Sequence, residues 1–177
     1  MESGDMSTLN LVKPENAKNE VKETYDMLLN RVGEIPKPLE LWSVSPDLLV
    51  HRRKLLEHYI ASDLSTSLLA FIRYLSSISC ESGVCATFNA GLLKAGGLTD
   101  RELELVNDST DNAKLEDKEK KMLAFVMAAI KDPDFATQEK VDELRQLGWN
   151  DRQIFEATHQ GADMLLVGKM MKIFRMG

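Results

Sequence analysis

Apolar residues recur along most of the chain at the three- and four-residue spacing of an amphipathic α-helix. No segment of five or more residues alternates between apolar and polar side chains, as a half-buried strand does. Glycines, prolines and short polar runs separate the periodic segments, which is typical of the connections between helices. The pattern therefore predicts an all-α protein.

Three helices are expected in the first half of the chain. The first opens near Pro14, because proline is tolerated in the first helical turn, and it ends near Gly33. Residues 35–38 contain two prolines and are expected to be extended. Pro46 opens the second helix. Residues 64–79 form the third, which is apolar around most of its circumference and is therefore expected to be buried.

In the second half of the chain, the pattern predicts further helices in close succession. One starts at Val84 and ends at the glycine pair 96–97. Residues 99–102 have the spacing of a capping box, as do residues 150–153. A polar loop is expected at 107–114. Helices are then expected at about 115–131, 138–147 and 151–174.

The composition fits one globular domain, with 44% hydrophobic and 28% charged residues in a chain of 177. We expect a single all-α domain over residues 1–177, with about 1–12 as a flexible tail. A net charge of −6 argues against nucleic-acid and anionic-membrane partners. Neither a membrane-spanning run nor a leader pattern is seen, and the two cysteines favour the reducing cytoplasm. Wide apolar stripes near the C-terminus favour a homo-oligomer.

Residues 79–89 are the segment that suggests chemistry. Cys85 falls in the first turn of a helix behind Ser82, a natural N-cap, and the helix terminus there favours a thiolate. The negative charge of Glu81 opposes this effect. Asn89, four residues on, shares the helical face of the Cys85 sulfur. Because free cysteine is also a common core residue, packing remains an alternative role for Cys85.

Cys80 and Cys85 form a C-x4-C pair, which is not a zinc spacing, and no second pair accompanies it. We therefore expect no metal and no cofactor. A disulfide between the two would need α-carbons within about 7 Å, which the sequence leaves open. His159 lies among small residues and is expected to be a core or interface histidine. If it faces Cys85, it is the best general-base candidate in the chain.

The segment 68–93 resembles the carboxymuconolactone decarboxylase and alkylhydroperoxidase D (AhpD) superfamily, in its peroxidase-related branch. It reproduces without gaps the hydrophobic frame of that branch's Cys-x-x-Cys-x-x-x-His motif, including Ser77, which often precedes the motif. Further similar stretches lie at 34–36, 45–46, 141–145 and 148–154, so that the resemblance covers roughly residues 20–172. It implies an all-α fold of helical hairpins assembled as a homo-oligomer, commonly a trimer or hexamer.

The motif itself is degenerate in this chain. Cys85 falls on the second cysteine, which attacks peroxide in the redox branch, and Ser82 falls on the first, which resolves the oxidised sulfur. Asn89 replaces the histidine, and Ala70 replaces the glutamate of the proton relay. Cys80 is then a candidate for a displaced resolving thiol.

Three functions remain open. The leading hypothesis is a thiol-dependent alkylhydroperoxidase-like oxidoreductase, in which Cys85 attacks a hydroperoxide and Cys80 or an external thiol reductant resolves the product. Asn89 and Ser82 would position the peroxide. The second hypothesis is a carboxymuconolactone decarboxylase-type lyase acting on a small carboxylated substrate, with His159 as the acid/base group. The third is a catalytically silent oligomeric binding or scaffold protein.

Overall fold

The computed structural model describes residues 7–176, and within that range the chain forms nine α-helices and no β-strand. The predicted all-α class is confirmed. None of these helices combines the length and the apolar composition needed to cross a membrane. The helices are α1 (Asn19–Val32), α2 (Lys37–Trp42), α3 (Pro46–Ile60), α4 (Thr66–Ser79), α5 (Gly83–Ala95), α6 (Asp100–Asp108), α7 (Asp117–Lys131), α8 (Gln138–Gln146) and α9 (Asp151–Ile173).

Local capping fixes several helix ends where the sequence predicts them. Gly33 closes α1 in the left-handed conformation, at a φ of 79°. At the start of α6, the Thr99 N–H donates to Glu102 Oε2 at 2.8 Å, and the Glu102 N–H donates to Thr99 Oγ1 at 3.3 Å. Asn150 and Gln153 make the same reciprocal pair before α9, at 3.1 and 2.9 Å. Both predicted capping boxes are confirmed.

Three predicted boundaries differ from the structure. Pro14 opens a single 3₁₀ turn, Pro14–Asn16, and the first α-helix begins only at Asn19. Residues 35–38 are not extended throughout, because Lys37 and Pro38 form the first turn of α2. Proline fits there since the first-turn N–H groups need no intrahelical acceptor. The expected loop at 107–114 contains the end of α6 and a 3₁₀ turn, Thr110–Asn112.

The chain divides into two compact units, of which the first comprises residues 7–62 and 169–176 of the described range. Its core is formed by Val21 and Tyr25 of α1 and Leu49 of α3, all buried. The predicted flexible tail falls partly outside the described residues. Its described part is held by hydrogen bonds, since the Tyr25 hydroxyl donates to the Val12 carbonyl at 2.8 Å and the Thr8 N–H donates to the Phe174 carbonyl at 3.1 Å.

The second unit comprises residues 63–168, in which α4 packs against both α5 and α7. Leu68 and Ile72 of α4 and Met122, Leu123 and Val126 of α7 are all fully buried. The expectation that the apolar segment 64–79 forms a buried helix is therefore confirmed. This helix carries the residues of the candidate site at its C-terminal end.

Gly161 of α9 lies in close contact with buried side chains of α4 and α7. A Cβ at Gly161 would lie 2.8 Å from Val126 Cγ1 and 3.4 Å from both Ile130 Cγ2 and Ser76 Oγ. Real Cβ atoms rarely approach that closely, so only glycine allows α9 to approach α4 and α7 at this point.

Candidate functional site

A tight turn joins α4 to α5 and places the candidate residues side by side. Glu81 adopts the left-handed conformation at a φ of 51°. Its N–H donates to the Ile78 carbonyl at 2.8 Å, and the Ser82 N–H donates to the Ser77 carbonyl at 3.1 Å. These two bonds define a Schellman motif, which ends α4 and turns the chain directly into α5. Cys80 therefore lies at one side of the turn and Ser82 at the other.

The left-handed Glu81 gives a first testable prediction. Glu81→Gly is expected to raise the free energy of unfolding by about 1 kcal/mol, because the Cβ of any non-glycine residue is strained in this conformation. Urea denaturation would measure the change. Glu81→Ala is the matched control, since it also removes the carboxylate but keeps the Cβ. Equal stabilities of the Gly and Ala variants would contradict the assigned strain.

Cys85 occupies the third position of α5 and is 2% exposed. Burial raises the pKa of its thiol, and Cys80 raises it further, while a hydrogen bond with the Ser82 side chain lowers it. Burial is the largest of the three effects and outweighs the thiolate-favouring helix terminus that the sequence suggests. Ser82 does occupy the predicted N-cap position, but its buried side chain does not cap the helix. At neutral pH Cys85 is therefore a protonated thiol.

Asn89 lies one turn beyond Cys85, as the sequence predicts, and its side chain links the two helices. The Nδ2 group donates to Ser77 Oγ at 3.1 Å and to the Cys85 carbonyl at 2.9 Å. Ser77 Oγ in turn donates to the Arg73 carbonyl at 2.7 Å. Asn89 is buried, and these bonds use both of its N–H donors. Its amide nitrogen is thus engaged in holding α5 against α4.

Cys80 is the more accessible of the two cysteines, and both are free thiols. Its Sγ donates to the Ser77 carbonyl at 3.3 Å and, at a longer 3.9 Å, to the Met164 carbonyl of α9. Gly168 of α9 packs directly on this sulfur, since a Cβ there would overlap Cys80 Sγ and lie 3.4 Å from Ser82 Cβ. Helix α9 therefore forms one wall of the thiol site.

His159 lies on the other side of that helix. It is nine positions from Gly168, which at about 3.6 residues per turn is half a turn out of phase. Its ring contacts Phe155, with centroids 6.1 Å apart. The structure thus brings Cys80, Ser82, Cys85 and Asn89 together and leaves His159 facing away from Gly168 and Cys80. Ala70 lies on α4, where it supplies no carboxylate.

Two residues of this region are not predicted from the sequence, Gly168 beside Cys80 and Arg73 on α4. A glycine inside a long helix signals close approach of another element, and this signal is present at Gly168. Arg73 of α4 is one turn before Ser77, and burial lowers the pKa of its guanidinium, for which residues 7–176 supply no acceptor. The pKa of Cys85 responds to burial, to the Ser82 hydrogen bond and to Cys80.

The resulting site contains two free thiols in a closely packed helical hairpin. The carboxylate and histidine of the resembled motif are absent from their positions, since Ala70 and Asn89 stand there. The arrangement supports thiol chemistry that is limited by access to the sulfur and by its deprotonation.

Comparison of the sequence with protein-family models finds no match, and no curated protein matches either. Solved structures do match. An uncharacterized peroxidase-related protein from Silicibacter sp. superposes with a TM-score of 0.84 at 15% identity, covering 100% of this chain and 94% of the other. An uncharacterized peroxidase-related protein from Ralstonia eutropha, described as an alkylhydroperoxidase AhpD core, gives 0.79 at 15% identity, covering 97% and 92%.

A protein of unknown function from Agrobacterium tumefaciens superposes with a TM-score of 0.64 at 17% identity, covering 77% of this chain and 93% of the other. At identities this low, the superpositions show that the folds are similar, and they do not establish a shared activity. The resemblance noted in the sequence is thus confirmed for the architecture: this chain has the all-α fold of the AhpD-related, peroxidase-related proteins.

Proposed function

We propose that this protein is a thiol-dependent oxidoreductase that reduces hydroperoxides through Cys85, with Cys80 as the resolving thiol. The observation that carries the proposal is the pairing of two free thiols across one turn of the α4–α5 hairpin. The sulfurs are near enough that Cys80 influences the pKa of Cys85. The AhpD-like fold of the chain is consistent with this chemistry.

The proposed cycle has three balanced steps. The Cys85 thiolate attacks one peroxide oxygen, the O–O bond breaks, and the alkoxide takes up a proton to leave as an alcohol. Cys85 is then a sulfenic acid. The Cys80 thiolate attacks the sulfenic sulfur, which forms a disulfide and releases hydroxide that is protonated to water. An external dithiol reduces the disulfide by exchange and is itself oxidised.

Steady-state turnover of cumene hydroperoxide, with dithiothreitol as the reductant, tests this cycle. Cys85→Ser is expected to abolish protein-dependent turnover while the helical circular dichroism stays unchanged. Cys80→Ser is expected to slow turnover and to leave a Cys85 sulfenic acid that dimedone labels. Turnover that survives in Cys85→Ser would contradict the role of this residue, and an absence of dimedone labelling in Cys80→Ser would contradict the order of attack.

The second candidate is a catalytically silent oligomeric binding or scaffold protein. The specific observation in its favour is that Cys85 is buried with a raised pKa and that Asn89 uses both amide donors within the protein. Phe155 and Leu166, on one face of α9, are 69% and 54% exposed and would supply apolar contact area for another copy. Absence of turnover in the wild-type protein would favour this candidate.

His159 gives the lyase hypothesis no support at the thiol site, because it faces away from Gly168 and Cys80. An acid/base group at His159 would have to act at a different surface of α9.

A further inference from the structure

A separate cavity lies in the second unit, between α7, the 3₁₀ turn Pro133–Phe135 and α8. Its volume is about 420 Å³, which is within the size range of small-molecule sites. None of the thiol-site residues lines it, so it is independent of the function proposed above. Its lining includes Lys121, Phe125, Phe135, Lys140, Glu143 and Leu147.

The walls of this cavity are mainly apolar. Phe125 and Phe135 lie against each other with ring centroids 6.2 Å apart and ring planes inclined at 54°. Leu144 and Leu147 also line the cavity, the first buried and the second 44% exposed. The displacement of water from such a concave apolar surface by a hydrocarbon group is favourable, and it would contribute to the free energy of binding.

The charges around the cavity favour one negative group. Lys140 Nζ donates to Glu143 Oε1 and Oε2 at 2.8 and 3.1 Å, so this pair is neutral overall. Lys121 also lines the cavity, is exposed, and forms neither an ion pair nor a hydrogen bond through its side chain within residues 7–176. One uncompensated positive charge therefore stands beside an apolar cavity. A ligand complementary to both features has one anionic head and a hydrocarbon body.

We propose that this cavity binds a free monocarboxylate with a medium-length hydrocarbon chain. The carboxylate pairs with the Lys121 ammonium group, and the hydrocarbon packs on Phe125, Phe135 and Leu147. A dianion would leave one charge unpaired, and an organic cation would meet the positive charge of Lys121. The observations therefore favour the monoanion over both.

Isothermal titration calorimetry with decanoate tests the proposal on the full chain. Decanoate is expected to bind with one-to-one stoichiometry. Lys121→Met is expected to weaken binding roughly fivefold, the effect of losing one partly solvated ion pair. Lys131→Met is the matched control, because Lys131 is an exposed lysine of the same helix outside the cavity, and it should leave the affinity unchanged.

Two further measurements distinguish the contribution of the Lys121 charge to the affinity from that of the apolar walls. Decanol is expected to bind the wild type and Lys121→Met equally, because it carries no charge. Leu147→Gln is expected to weaken both decanoate and decanol. The proposal is overturned if decanoate shows no saturable binding, if the two lysine variants behave alike, or if decyltrimethylammonium binds as tightly as decanoate.

Discussion

Replacement of Gly168 by alanine is expected to lower the free energy of unfolding by about 2 kcal/mol, because it overpacks the thiol site. A Cβ at this position would overlap Cys80 Sγ and lie 3.1 Å from Cys80 Cβ. Cys80 is held in place by its hydrogen bond to the Ser77 carbonyl, so its sulfur can move only by losing that bond. Urea denaturation measures the stability change, and iodoacetamide labelling reports the displacement of Cys80.

Gly91→Ala is the matched control for this change. Gly91 lies in α5, and a Cβ at this position would have nothing within 4 Å, so alanine there is expected to stabilise the protein by about 0.5–1 kcal/mol. The double variant Cys80→Ala with Gly168→Ala should recover part of the lost stability, because the overlapping sulfur is gone. Additive effects of the two substitutions, or a stabilising Gly168→Ala, would contradict the packing of α9 on Cys80.

Cys85 is expected to react with iodoacetamide at pH 7 at least about tenfold more slowly than a thiol in the urea-unfolded chain, because a buried, protonated sulfur is a poor nucleophile. The measurement uses the Cys80→Ser variant, in which burial still raises the pKa of Cys85. The rate should rise with pH only above the range in which a free thiol ionises. Ser82→Ala should slow the reaction further, since the Ser82 hydrogen bond lowers this pKa.

The raised pKa of Cys85 also couples stability to pH. Below the ordinary thiol pKa both states are protonated and the group has no effect. As the pH rises through that value, the unfolded state releases its proton first and is stabilised, so the free energy of unfolding falls. Cys85→Ala should remove this component of the alkaline slope. A Cys85 that titrates below a free thiol would contradict this account and would strengthen the case for rapid peroxide chemistry.

The helices are largely predictable because their ends are set by neighbouring residues. Gly33 ends α1 and the pair Thr99–Glu102 starts α6 through contacts that span at most four positions. The prediction at Pro38 is wrong, since proline both breaks helices and starts them, and its position relative to the first turn decides which. The i, i+4 relation of Cys85 and Asn89 is likewise readable from the sequence.

What the sequence by itself determined is therefore local: the helical class, most of the helix ends, and the clustering of Cys80, Ser82, Cys85 and Asn89 around one turn. The tertiary structure decided the rest. It buried Cys85 and so raised its pKa, set Gly168 against Cys80 from a distant part of the chain, and turned His159 away from Gly168 and Cys80. Burial and close packing depend on atoms brought together from distant segments, and no spacing within a helix encodes them.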